Sequence, residues 1–163
     1  MAKIGIYYGS TTGTCEDIAR RLAARLDGAE VINAADLSAS NVAGFDVLLL
    51  GSSTWGAGDL QDDWYDACDT LRGLDLTGKC VALFCVGDAD GYGDTFCGAL
   101  APLYEAEKDT GATLLGRVST DGYSFSDSEG VADGQFLGLA LDETNEPDKT
   151  DARLDAWIAS LGL

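Results

Sequence analysis

Three short segments of this chain hold residue types from which a binding site can be built, and each follows an apolar run. The first is Gly9-Ser10-Thr11-Thr12-Gly13-Thr14-Cys15. It sets four hydroxyls and a run of backbone N–H groups just ahead of a helical pattern. A helix N-terminus attracts anions because its first N–H groups point outward and its dipole is positive there. The segment has neither the Lys of a triphosphate-binding loop nor the glycine spacing of a dinucleotide fingerprint. Neutral donors would then hold the anion, which suits one phosphate monoester better than a triphosphate with Mg²⁺. A Ser/Thr-rich cap and turn with no ligand has the same composition.

The second segment is Ser52-Ser53-Thr54-Trp55-Gly56-Ala57-Gly58-Asp59. Trp55 offers a flat face for stacking, and Gly56, Ala57 and Gly58 let backbone approach a ring closely. A Trp folded back onto the core is the alternative. The third is Gly87-Asp88-Ala89-Asp90-Gly91-Tyr92-Gly93-Asp94, where Tyr92 is a second aromatic among Gly and Asp. An acidic turn without a ligand would read the same way. Taken together, the three describe a phosphate cradle and two aromatic walls for a planar ring.

The elements that must position these segments alternate along the chain. Strand patterns cover Lys3–Tyr8, Ala29–Asn33, Val47–Gly51, Lys79–Val86, Thr113–Ser119 and Phe136–Leu141. Helical spacing covers Cys15–Leu26, Asp62–Leu71, Gly98–Thr110 and Thr150–Leu161, with a start or kink near Pro102 and Thr150 as the cap of the last. Thr120–Gln135 is polar and reads as a long excursion. Strands such as Val47–Leu50 are continuously apolar, as strands buried on both faces are. The pattern predicts an α/β fold: a doubly wound parallel sheet with helices on both faces. Such sheets bind ligands beyond the carboxyl ends of their strands, which is where all three segments fall.

Composition narrows the chemistry. At 163 residues the chain makes about one domain, 1–163, at roughly 150 residues per domain. It has no His, which excludes Ser-His-Asp and Cys-His nucleophiles and His-ligated zinc. Its five Cys (15, 68, 80, 85 and 97) are odd in number and none are spaced C-x-x-C, so reduced thiols in a cytoplasmic setting are expected. Cys97, just after the Tyr92 segment, is the candidate reactive thiol. No apolar run is long enough to span a membrane. With 28 acids against 10 bases the net charge is −18. That field repels nucleic acid and anionic membranes and favours a basic partner. Solubility alone, or adaptation to high salt, would produce the same excess.

In this order the segments resemble the flavodoxins, small electron carriers that bind flavin mononucleotide (FMN). Ser10-x-Thr12-Gly13 resembles the family's phosphate loop. Thr54-Trp55-Gly56 and Gly87-Asp88…Tyr92 resemble its two ring loops. Ser119-Thr120-Asp121-Gly122-Tyr123 and the run 136–142 resemble the segment that splits the fifth strand in its long-chain members, which implies a five-stranded parallel sheet with an inserted loop interrupting the fifth strand. The resemblance covers essentially the whole chain. It implies phosphate contacts from Ser10, Thr11, Thr12, Gly13, Thr14 and Cys15, and ring contacts from the 53–58 and 87–92 segments. Trp55 and Tyr92 would sandwich the ring, with Gly56 and Ala57 near flavin N5 and Asp88 near its pyrimidine edge. Ser53, Thr54, Gly58, Gly87 and Asp90 complete the set. The sequence departs from the family pattern at three places. Cys15 stands where a hydroxyl is usual, Gly56 where many long-chain members carry Asn, and Thr144 where some carry an acid.

The function so implied is a low-potential one-electron carrier, not an enzyme, shuttling mainly between semiquinone and hydroquinone on non-covalently bound FMN. Reduction puts a proton on N5, and the Gly56–Ala57 peptide must turn a carbonyl toward it, which Gly permits. A second electron puts an anion among acids, so the second potential should fall well below the first. The expected partners are basic-faced redox proteins, a flavodoxin reductase and an electron acceptor, met by a monomer. A flavin reductase of the same fold is the alternative; it would need a substrate pocket against a ring that Trp55 and Tyr92 cover. A phosphorylated receiver of similar topology would need acids where Gly9-Ser10 and Ser52-Ser53 stand.

Overall fold

The computed structural model describes residues 3–9, 13–55, 59–60, 63–87, 96–121, 123, 125 and 127–162, with the backbone alone at 55, 59 and 60. In chain order the elements are β1 (Ile4–Gly9), α1 (Thr14–Arg25), β2 (Glu30–Asn33), α2 (Ala39–Val42), β3 (Val47–Trp55), β4 (Asp59–Leu60), α3 (Asp63–Arg72) and β5 (Cys80–Val86). There follow α4 (Leu100–Glu107), β6 (Thr113–Leu115), β7 (Val118–Ser119), β8 (Val131–Ala132), β9 (Gln135–Phe136), β10 (Leu139–Leu141) and α5 (Thr150–Leu161). The main sheet runs β2-β1-β3-β5-β10, all parallel along that path.

Side-chain alternation along the three central strands builds two cores. Ile4, Ile6, Tyr8, Val47, Leu49, Ala82 and Phe84 face α1 and α5, where Ile18, Leu22, Leu154 and Trp157 meet them. Tyr7, Leu48, Leu50, Val81, Leu83 and Cys85 face the other way, against Trp64, Leu71, Leu100 and Leu103 of α3 and α4. Period-two alternation is why strands that read as uniformly apolar bury both faces. Trp64 is wholly buried, and its indole N–H donates to the Gly51 carbonyl at 2.6 Å.

The fifth strand position is filled by two short pieces. β6 pairs with Cys80–Ala82 and β10 pairs with Phe84–Val86, so Leu83 stands opposite the break. Gly138 marks it: a Cβ there would lie 2.0 Å from the Leu83 carbonyl oxygen. The interruption is as expected, but its ends differ from the sequence reading. The run from Thr113 to Ser119 divides at Gly116, and Val118–Ser119 belongs to a separate antiparallel sheet, β7-β9-β8. The inserted segment is therefore ordered by more than polar turns. Phe96, Tyr123, Phe125 and Phe136 form one aromatic cluster with centroid separations of 4.9–6.2 Å. Such contacts contribute roughly 0.5–1.5 kcal/mol each beyond area burial.

Other differences have local causes. β3 continues past Gly51 to Trp55, because Ser52 and Ser53 keep their register with Cys85 and Val86 and Thr54–Trp55 pair antiparallel with β4. The helix α2, which the sequence reading passed over, is short and held by a capping box between Ser38 and Asn41. Pro102 sits in the first turn of α4, where its missing N–H costs little, and no kink is needed. Thr150 is not a cap: it is the first residue of α5, buried, and its hydroxyl has no hydrogen-bond partner among the described residues.

Candidate functional site

The carboxyl ends of β1, β3 and β5 stand side by side. Gly9 is in register with Ser52, and Ser52 with Cys85. From this one row the chain leaves into the three segments singled out above, and β10 reaches the same level through Leu141 and Val86, with Gly87 N–H donating to the Leu141 carbonyl at 2.9 Å. α1 begins beside that row. Gly13 precedes it at φ 91°, a left-handed conformation that a Cβ would strain, and brings no side-chain cap. The Asp17 N–H donates to the Gly13 carbonyl at 2.9 Å.

Acids in the first turn of α1 are answered by cations one turn on. Arg20 holds Glu16 at 2.7 Å, and Arg21 lies 3.6 Å from Asp17. Arg21 also bridges Glu143 and Asp151, and Arg25 bridges Asp151 and Asp155, which ties α1 to α5. Hydrogen bonds from Arg21 hold the Asp151 carboxyl below its ordinary value.

Beneath the row lies a group of thiols. Cys15, Cys85 and Cys97 are all fully buried. The Thr54 hydroxyl and the Cys85 sulfur are 2.8 Å apart. Burial, with Cys85 nearby, pushes the Cys15 and Cys97 thiols well above their ordinary range. The Cys15 sulfur is thus committed to the core beside Ile18. Cys97 is corrected from a candidate reactive thiol to an inert one, since the thiolate is the nucleophile and a dry site suppresses it. Its backbone is unusual, with φ 50°.

Of the predicted binding residues, Gly13, Thr14, Cys15, Ser53, Thr54 and Gly87 fall at the ends of β1, β3 and β5 and the start of α1. The Trp55 backbone ends β3, paired with Asp59. Ser10, Thr11, Thr12, Gly56, Ala57, Gly58, Asp88, Asp90 and Tyr92 lie outside the described residues. One residue at this end was missed. Asp142, fully buried just after β10, accepts from the Thr144 and Asn145 backbone N–H groups at 3.1 and 2.9 Å and from the Asn145 amide at 2.9 Å. The Asp-x-Thr-Asn run is a turn signal that could have found it. Thr144 itself is exposed.

The Flavodoxin family model matches residues 6–157. This chain belongs to the flavodoxin family. Among its relatives are a flavodoxin of Picosynechococcus sp., 38% identical over 99% of this chain and 96% of that one, and flavodoxin 1 of Azotobacter vinelandii, 42% identical with the same coverage. In structure this flavodoxin resembles the Fusobacterium nucleatum flavodoxin bound to flavin mononucleotide, with a TM-score of 0.92, 31% identity, and coverage of 99% of this chain and 98% of that one. The doubly wound sheet is therefore the family fold.

Proposed function

We propose that this flavodoxin carries electrons one at a time on non-covalently bound FMN. The observation that carries the reading is the row Gly9–Ser52–Cys85, which sets the departure points of three candidate loops beside the N-terminus of α1. The likeness to a flavodoxin that binds FMN supports it. Bound flavin supplies the redox chemistry, accepting one or two electrons, and the protein tunes its potential.

The residues of this chain have distinct tasks in that reading. Ser10 to Cys15 hold the phosphate through backbone N–H groups and hydroxyls, with no cation needed. Trp55 and Tyr92 cover the ring, Gly56 and Ala57 lie at N5, and Asp88 and Asp90 lie toward the pyrimidine edge. Ser53, Thr54, Gly58 and Gly87 shape the two ring loops. The acids around the ring and the net charge of −18 disfavour adding negative charge there. The working couple is then the low-potential one, between the one-electron and two-electron reduced states. Its partners are basic-faced redox proteins, a reductase and an acceptor, met by a cytoplasmic monomer. No described helix is long and apolar enough to cross a membrane.

The deciding experiment is a titration of the purified protein with FMN and with riboflavin, followed by stepwise reduction. Tight FMN binding, much weaker riboflavin binding and two well-separated potentials are expected. A colourless protein that fails to take up FMN would refute the reading.

A further inference from the structure

A cavity lies away from the strand ends, beside the break in the fifth strand. It has a volume of about 330 Å³ and opens between the inserted segment and α5. Val118, Leu139 and Trp157 give it apolar walls, and Arg117, Arg153 and Asp121 bring charge. Trp157 is 2% exposed and fixed by its indole N–H, which donates to the Gly116 carbonyl at 2.8 Å.

The two guanidiniums differ in counter-charge. Arg153 has one: it contacts Glu146 at 3.2 Å and lies 4.0 Å over the Tyr123 ring, whose hydroxyl donates to the Ala140 carbonyl at 2.7 Å. Arg117 has none among the described residues. Its Nη2 donates to the backbone carbonyls of Ala132 and Gln135, while its Nε is buried without a hydrogen-bond partner. No carboxylate among the described residues lies within 4.0 Å of it. Arg20, Arg21, Arg25, Arg72 and Arg153 all have one. In a chain with 28 acids and 10 bases, an arginine without a carboxylate is a conspicuous exception. A half-buried guanidinium held in place by backbone, beside a cavity with apolar walls, is built to receive an anion from outside.

We propose that this cavity binds a small organic monoanion, with its carboxylate on Arg117 and a planar apolar body against Val118, Leu139 and Trp157. Size and charge set the class. A cavity at the lower end of the ~300–1,000 Å³ range of small-molecule sites takes a single-ring molecule. Arg117 and Arg153 are balanced by Glu146 and Asp121, so the local field opposes a second negative charge on the ligand. With Nη2 held by the two carbonyls and Nε out of solvent, a carboxylate would meet Arg117 at Nη1 in a charge-assisted hydrogen bond. A phosphate dianion would meet the same nitrogen while facing Asp121.

The test follows the indole N–H resonance of Trp157 in the isotope-labelled full chain during titration with benzoate, benzamide and inorganic phosphate. Benzoate should produce a saturable shift in the millimolar range. Benzamide, of the same shape but uncharged, should bind at least about tenfold more weakly. Arg117→Gln should weaken benzoate by a similar factor. Arg117 also holds the Ala132 carbonyl, so a second variant keeps it: Ala156→Leu, on the exposed side of α5, narrows the cavity and should abolish the saturable shift. The proposal is overturned by no saturable shift up to about 50 mM benzoate, equal binding of benzamide, tighter binding of phosphate than benzoate, or a shift that persists in Ala156→Leu.

Discussion

Glu107 closes α4 with its side chain inside the protein, 1% exposed, and its Oε2 has no hydrogen-bond partner among the described residues. Burial pushes its carboxyl from 4.5 up to about 7. Between those two values the folded protein holds a proton that the unfolded chain releases. Folding therefore takes up a proton in this window, and the resulting stability is complete below pH 4.5 and lost as pH rises through about 7. At about 1.36 kcal/mol per pKa unit, the full displacement amounts to at most about 3 kcal/mol, with any water reaching the carboxyl reducing it. Glu107→Gln keeps the shape and removes the titration. Its amide meets the same lack of a partner as the protonated acid, so the variant should lie within about 1 kcal/mol of the wild type near pH 5. It should become more stable than the wild type by up to about 3 kcal/mol at pH 8. The assay is urea unfolding of both proteins at steps from about pH 5 to pH 8.5, read by far-UV circular dichroism. The other acids are common to both, so the difference isolates one group. A difference constant across that range to within about 0.5 kcal/mol would refute the argument, because it would mean that Glu107 ionises in the folded protein as it does in water.

Phe84 is fully buried between β3, β10 and Trp157, so Phe84→Ala should cost about 3–5 kcal/mol in denaturant unfolding. Arg21→Gln breaks the bridges from α1 to Glu143 and Asp151; both sides are partly exposed, so the loss should be about 1 kcal/mol and should shrink in high salt, as unfolding at two ionic strengths would reveal. Of the five thiols only Cys80 is partly exposed, so a thiol reagent should label at most that one rapidly in the native protein and all five after unfolding. Trp55→Ala should weaken FMN binding in a fluorescence titration by more than the roughly 0.5–1.5 kcal/mol of an aromatic pair, since the ring's apolar contact is lost as well.

Much of this fold was legible because local pattern decides element type. The apolar runs at Val47–Leu50 and Val81–Val86 could only be strands buried on both faces, and the spacing of Ile18 and Leu22 could only bury one side of a helix. The alternation of these elements carried the topology, since parallel strands need crossovers. The segments at the strand ends were legible for the same reason: hydroxyls and glycines just after a strand have no role in a core. What the sequence left open was set by pairing between distant residues. β3 runs on to Trp55 because β5 and β4 offer it partners, and the fifth strand divides where Gly138 meets the Leu83 carbonyl. Cys97 follows a candidate ring loop, yet it is buried beside Cys85, and that neighbour lies 12 positions back in the chain. Glu107 and Arg117 look like ordinary surface charges in a polar stretch. Only the tertiary structure takes one out of water and leaves the other without a counter-charge, because burial and ion pairing depend on what the rest of the chain brings alongside, and no local spacing records that.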